Sequence, residues 1–170
     1  DKVARAIGMG YPGGPKIDAA AKQGDPNAVR FPRVFLEEES YDFSFSGLKS
    51  AVLNYVNKQK MTGEPIVPED IAASFQQSVV EVLVEKTGKA AKHRAMKQVA
   101  LAGGVASNSA LRAGMRAACE REGLSLHIPS PVLCTDNAAM IGCAAYYEYL
   151  AGVRDGWDLN ANPNLKLGER

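Results

Sequence analysis

Leu101-Ala102-Gly103-Gly104-Val105-Ala106-Ser107-Asn108 stands where an apolar run hands over to a helical pattern, and its reading decides the fold. Upstream, Lys97 to Ala102 is short, apolar and closed by glycine, as a buried strand is. Downstream, Ala110, Leu111, Met115, Ala118 and Cys119 recur at helical spacing until Gly123 stops the helix. Two adjacent glycines between strand and helix leave no Cβ in the way and permit positive φ. A ligand can then approach main-chain N–H groups at a helix N-terminus, which favours anions. Ser107 or Asn108 can cap that helix and still offer a hydroxyl or amide to a ribose or phosphate. Two readings fit the glycine pair itself, a tight turn with an ordinary cap and a nucleotide cradle.

Working outward, Asp1 to Gly8 reads as the end of a helix, Tyr11 to Pro15 as a turn, and Lys16 to Gln23 as a short helix closed by Gly24-Asp25-Pro26. Asp42-Phe43-Ser44-Phe45 alternates as a short strand would, and Gly47 to Lys60 is helical. Pro68-Glu69-Asp70 opens the longest helix, with an apolar stripe of Ile71, Phe75, Val79, Val82 and Leu83. Lys86, Lys89, Lys92, His93, Arg94 and Lys97 gather at its far end. They read as cations on a solvated helix terminus, with an RNA-binding patch as the alternative. Leu124 to Ile128 is a second strand and Asp136 to Leu150 the last helix. The tail from Trp157, rich in Asn and Pro, reads as a loosely ordered terminus. Strand, helix, strand, helix at the end of this series predicts an α/β chain with a small, mostly parallel sheet covered by helices. Ligands of such sheets bind beyond the carboxyl ends of the strands, where Gly103, Gly104 and Asn108 fall.

A chain of 170 residues is long enough for one compact domain or one lobe of a larger protein. Its opening at Asp1, inside a helical pattern, reads as a piece of something longer. A net charge of +1 leaves any nucleic-acid contact to a local patch. Cys119, Cys134 and Cys143 are odd in number and lack metal-type spacing, which suits a reducing cytoplasm. No apolar run is long enough to span a membrane.

Asp136, after Cys134-Thr135, is either the cap of the last helix or a carboxylate presented to the same cleft as Asn108. His93 and His127 have no partner at metal-ligand spacing and read as structural. Spacing assembles no nucleophile triad and no paired carboxylates, so the catalytic residues are unknown and part of the chemistry comes from elsewhere.

Four separated segments together resemble one family. They are Tyr11-Pro12-Gly13-Gly14-Pro15-Lys16-Ile17-Asp18, Phe43-Ser44-Phe45-Ser46-Gly47-Leu48-Lys49, Leu101 to Asn108, and Cys134-Thr135-Asp136-Asn137-Ala138-Ala139-Met140-Ile141-Gly142. In order and spacing they are similar to the bacterial tRNA threonylcarbamoyladenosine synthase family, TsaD. The resemblance implies the actin-like, two-lobed ATPase fold, with this chain as the C-terminal lobe plus a helical insertion. Residues 1–95 would be mostly insertion, 96–152 a β-α-β-α core and 153–170 a tail.

It implies transfer of a threonylcarbamoyl group from threonylcarbamoyl-AMP to N6 of the adenosine beside the tRNA anticodon. Asp1, Gly14, Asp18, Gly103, Gly104 and Asn108 would hold the nucleotide, and Asp136 would be a carboxylate ligand of one iron(II) or zinc ion. That ion would act as a Lewis acid on the donor carbonyl. The family's pair of metal-binding histidines has no counterpart here, so the resemblance implies that this chain alone binds the metal weakly or not at all. The implied partners are tRNA and TsaB- and TsaE-like accessory proteins. An apolar wall left uncovered by an absent lobe implies self-association of the chain, or disorder near Asp1 to Lys60. A non-catalytic nucleotide-binding module is the competing reading; the family's older protease label finds no protease side chains here.

Overall fold

The computed structural model describes residues 1–34 and 40–166. The part of the aromatic, serine-rich stretch at 35–39 and the last four residues of the expected tail lie outside the described residues. Contacts divide the chain into two units, Asp1–Thr135 and Asp136–Arg170.

In the first unit, α1 (Lys2–Ala6) and α2 (Gly13–Ala21) are followed by α3 (Ser46–Thr62) and the long α4 (Pro68–His93). The polypeptide then runs through β1 (Gln98–Ala100), a 3-10 turn (Gly104–Ser107), α5 (Ser109–Arg121), β2 (Ser125–His127) and a second 3-10 turn (Pro131–Leu133). β1 and β2 pair in parallel with Val99 opposite Leu126, and the Leu101 N–H extends the ladder to the His127 carbonyl at 2.9 Å. The expected parallel strand-helix-strand unit is therefore present, as a two-stranded sheet among the described residues.

Apolar spacing explains which faces are buried. Leu48, Val52 and Val56 recur every fourth residue on α3 and close on Val3, Ala4, Ile17, Phe31, Ile71 and Ala72 to form one core. Leu111, Met115 and Cys119 repeat the same spacing on α5 and pack on Val80 of α4, with Val99, Leu101, Leu124 and Leu126 of the sheet region around them. Gly114 lets these helices meet, since a Cβ there would lie 3.2 Å from Val80 Cγ1 and 3.3 Å from Val84 Cγ2. The loop after α2 is tied to the start of α4. Asp70 Oδ1 accepts from the Asp25 N–H at 2.8 Å, and the Ser74 hydroxyl accepts from the Val29 N–H at 3.1 Å while donating to the Asp25 carbonyl at 3.2 Å.

Three local expectations are corrected. Gly13, Gly14 and Pro15 belong to the first turn of α2, not to the preceding turn, which ends at Pro12. Proline early in a helix loses no intrahelical bond, because the first N–H groups have no partner in any case. Asp42 to Phe45 forms no strand: among the described residues no strand pairs with it, and the Asp42 carbonyl accepts instead from the Lys86 ammonium. Lys86 is therefore not a solvent-facing member of the basic cluster. It is buried at 5% exposure, its Nζ 5.6 Å from the Phe43 ring centroid, so a carbonyl and an aromatic face compensate its charge.

The second unit contains α6 (Ala138–Leu150), capped by Asn137, whose Oδ1 accepts from the Met140 N–H at 2.9 Å. Asn137, not Asp136, is thus the cap, and the adjacent carboxylate has no capping duty. None of the residues of α6 is buried, although the helix carries Met140, Ile141, Tyr146, Tyr147, Tyr149 and Leu150.

Candidate nucleotide site

Beyond β1 the backbone turns at Gly103, whose φ of +86° lies in the region that favours glycine. A Cβ on Gly103 or Gly104 would meet nothing within 4 Å, so the pair faces open space. The junction is not a direct handover from strand to helix. The 3-10 turn intervenes, held by the Ala106 N–H on the Gly103 carbonyl at 2.9 Å and the Asn108 N–H on the Val105 carbonyl at 3.0 Å. Its first N–H groups, on Gly104 and Val105, have no partner among the described residues.

Asn108 is the cap of α5, its Oδ1 accepting from the Leu111 N–H at 2.9 Å. Its Nδ2 donates to Asp18 Oδ1 at 3.1 Å and to Gln76 Oε1 at 2.6 Å. Asp18 Oδ1 also accepts from the Ser109 N–H at 3.2 Å and the Ser109 hydroxyl at 2.8 Å. A carboxylate at the first turn of α5 complements the positive end of that helix. Residues 18 and 108, ninety positions apart in sequence, are thus joined directly, through one helix of each flanking segment and Gln76 of α4.

At the other end of α2, Asp1 Oδ1 accepts from the Gly13 N–H at 2.7 Å. Pro12 offers the helix no side-chain cap, and Asp1 takes that place. Gly13 allows the approach: a Cβ there would lie 2.8 Å from Ala4 Cβ, Asp1 Cα and Asp1 Oδ1 alike. Gly14 beside it is exposed, and a Cβ there would meet nothing within 4 Å. One glycine is required by crowding; the next is open to a ligand.

Sequence reasoning missed Gln76 and Arg112. Gln76 carried no signal beyond being polar beside the apolar stripe of α4. Arg112 lies one turn after Asn108 and fastens two loops together, donating from Nε to the Ala106 carbonyl at 2.6 Å and from Nη2 to the Pro129 carbonyl at 2.7 Å. Its Nη2 also reaches Cys134 Sγ at 3.2 Å. Both loops leave the carboxyl ends of the parallel strands, so one guanidinium sets the floor of the region where ligands of such sheets bind.

His93 accepts or donates a hydrogen bond with the Tyr41 hydroxyl, in keeping with a structural role. Asp136 falls in the second unit. Among the described residues no group of three or more His, Cys, Asp or Glu side chains comes together that could hold a metal ion. A cavity of about 240 Å³ between α4 and α5, lined by Val84, Lys89, Met115, Cys119 and Arg121 among others, contains none of the expected nucleotide-site residues. No helix is long and apolar enough to cross a membrane.

The family described as TsaD, tRNA N6-adenosine threonylcarbamoyltransferase, matches residues 1–143. Proteins named tRNA N6-adenosine threonylcarbamoyltransferase from Clostridium botulinum (strain Hall) and Clostridium perfringens (strain SM101) are 59% and 56% identical to the chain over all 170 residues. The match covers 100% of this chain and 50% of each relative, so the chain spans about half their length. Among solved structures, the crystal structure of T. kodakarensis HypF aligns over 84% of this chain and 18% of its own, with a TM-score of 0.55 and 25% identity. With its α/β order, small parallel sheet and a family match over most of its length, the chain belongs to the TsaD family of tRNA N6-adenosine threonylcarbamoyltransferases.

Proposed function

We propose that this chain is the C-terminal, nucleotide-holding lobe of an actin-like, two-lobed enzyme that transfers threonylcarbamoyl from threonylcarbamoyl-AMP to N6 of an adenosine in tRNA. Residues 1–95 act as a helical insertion, 96–152 as the core and 153–170 as a tail. The observation that carries this reading is the joining of Asp18 to Asn108 and Ser109 at the first turn of α5, beside the open Gly103-Gly104 turn. Asp1, Gly14, Asp18, Gly103, Gly104 and Asn108 surround the AMP part of the donor.

In the reaction, N6 attacks the carbamoyl carbon, the bond from that carbon to the phosphate oxygen breaks, and AMP leaves as the anion while N6 loses a proton. The chain's contribution is positioning and charge stabilisation. The N–H groups of Gly104 and Val105 meet the negative charge on the departing phosphate, and the pocket holds AMP so that the carbonyl is presented to the nucleophile.

Asp136 would offer one carboxylate to an iron or zinc ion, which would supply Lewis acidity toward the donor carbonyl. The further partners are TsaB- and TsaE-like proteins, and the compartment is the cytoplasm. Calorimetric titration of the 170-residue chain with AMP tests the nucleotide assignment. Binding without turnover is expected, and absence of binding at millimolar AMP would refute it. In the full-length enzyme, Asp136→Ala is expected to lose metal and transfer together; a variant with its full metal content and normal tRNA modification refutes the ligand role.

A further inference from the structure

The Asn108 carboxamide is fully committed on its donor side. Because Oδ1 accepts from the Leu111 N–H, the opposite atom is the nitrogen, and its two hydrogens go to Asp18 Oδ1 and to Gln76. The Gln76 atom that accepts is therefore Oε1, which leaves Gln76 Nε2 with two hydrogens and no protein partner among the described residues. Asp18 shows the same asymmetry. Its Oδ1 accepts three hydrogen bonds, whereas Oδ2 has only the Lys22 ammonium, at 3.9 Å. One unpaired donor and one acceptor engaged only by a distant ammonium thus hang on the same amide nitrogen, each fixed in orientation by the hydrogen bonds of its other atom.

We propose that Gln76 is a ligand-contacting residue of the nucleotide site, its Nε2 acting with Asp18 Oδ2 as a donor–acceptor pair that reads the vicinal diol of the ribose. The proposal rests on the nucleotide reading above. A hydroxyl both donates and accepts, and two neighbouring hydroxyls satisfy a carboxylate oxygen and an amide N–H together. Asn108 then serves as the hub that holds the pair, and α4, outside the β-α-β core, contributes directly to specificity. A ligand without the diol leaves Gln76 Nε2 unpaired and Asp18 Oδ2 with only the Lys22 ammonium, in a half-buried setting that favours discrimination.

The test is calorimetric titration of the full 170-residue chain with AMP and with 2′,3′-dideoxy-AMP, repeated for Gln76→Met and Gln76→Glu. The wild-type chain is expected to prefer AMP by about tenfold or more, and both variants to lose the preference to less than about threefold while binding the dideoxy nucleotide within twofold of wild type. Gln76→Glu keeps an acceptor for Asn108, so hydrogen-exchange protection of the Leu111 amide should persist in it. Lost discrimination with an intact α5 cap separates ligand contact from mere support. Retained AMP preference in Gln76→Glu, or equal binding of the two nucleotides by the wild-type chain, would overturn the assignment and leave the nucleotide reading standing. If the wild-type chain binds neither, the nucleotide reading falls and this inference with it.

Discussion

Adding one methyl group at Gly13 and one at Gly14 should have opposite effects on stability. In Gly13→Ala the new Cβ would sit 2.8 Å from Ala4 Cβ and Asp1 Cα, about 0.6 Å inside ordinary contact. Neither atom can rotate away, because both are fixed to the backbone of α1. Overpacking of this kind costs about 1–3 kcal/mol. Moving Asp1 outward also weakens its 2.7 Å hydrogen bond to the Gly13 N–H, which at this part-buried helix end adds about 0.5–1 kcal/mol. Reduced freedom of the unfolded chain returns about 0.4–1 kcal/mol. The net loss centres on about 2 kcal/mol, or about 4–8 °C in Tm for a chain of this size. Gly14→Ala meets nothing within 4 Å, so only the favourable entropy remains and the variant should match or exceed wild type by up to about 1 kcal/mol. Urea unfolding followed by far-ultraviolet circular dichroism measures both. A Gly13→Ala midpoint indistinguishable from that of Gly14→Ala refutes the close approach of Asp1 and α1 to the start of α2.

Gly24→Ala should be more severe, at least about 3 kcal/mol, because its Cβ would fall 2.1 Å from the Glu69 carbonyl oxygen, which is backbone; soluble, wild-type-like protein would contradict the packing of this loop on α4. Glu81 hydrogen-bonds Arg33 at 2.5 Å, and this bond, reinforced by Gln77 and the guanidinium charge, holds its carboxyl below the usual range against the opposing effect of burial. A lowered folded-state value means that the stabilisation is complete above the ordinary carboxylate range and is lost as pH falls through the lowered value. The acid limb of a Tm–pH profile should therefore flatten in Glu81→Gln, by under about 1 kcal/mol for so exposed a pair. Of the three thiols, exposed Cys143 should alkylate rapidly in native protein, while Cys119, whose thiol burial pushes up, and buried Cys134 should resist until denaturant is added; mass spectrometry of labelled peptides decides. The uncovered apolar residues of α6 should drive concentration-dependent association, measured by light scattering, and Tyr146→Lys with Leu150→Lys should reduce it; a monomer at all concentrations counts against this.

Periodicity made the helices and the parallel pair legible because each buries a stripe whose spacing the sequence displays, as Leu48, Val52 and Val56 do on α3. Asp42 to Phe45 misled because alternation describes a side-chain pattern, whereas a strand also needs a ladder for its N–H and C=O groups; here the Asp42 carbonyl accepts from Lys86 and the Asp42 N–H donates to the Ser40 hydroxyl. Lys86 itself was hidden for the converse reason: a lysine in a basic run carries no mark of the carbonyl it will meet forty-four residues away. For the site, the glycines and Asn108 announced themselves through turn and capping chemistry, and Asp18 through the family resemblance. Gln76 and Arg112 act across loops and helices that only the fold brings together, so no local pattern pointed to them.

α4 serves both hydrophobic cores, and the division falls between neighbours: Val79 packs with the first and Val80 with the second. A continuous helix of 26 residues, about 39 Å long, cannot melt at one of these cores without loosening the other. The helices at the amino end and the strand-helix-strand segment should therefore unfold together as a single foldon. Denaturation of that stretch should be all-or-none, with amides near Gln76 exchanging only through global opening. Natural variation that softens either core would then be felt at the proposed nucleotide site as a change in the fraction of molecules folded, without any residue of that site being altered.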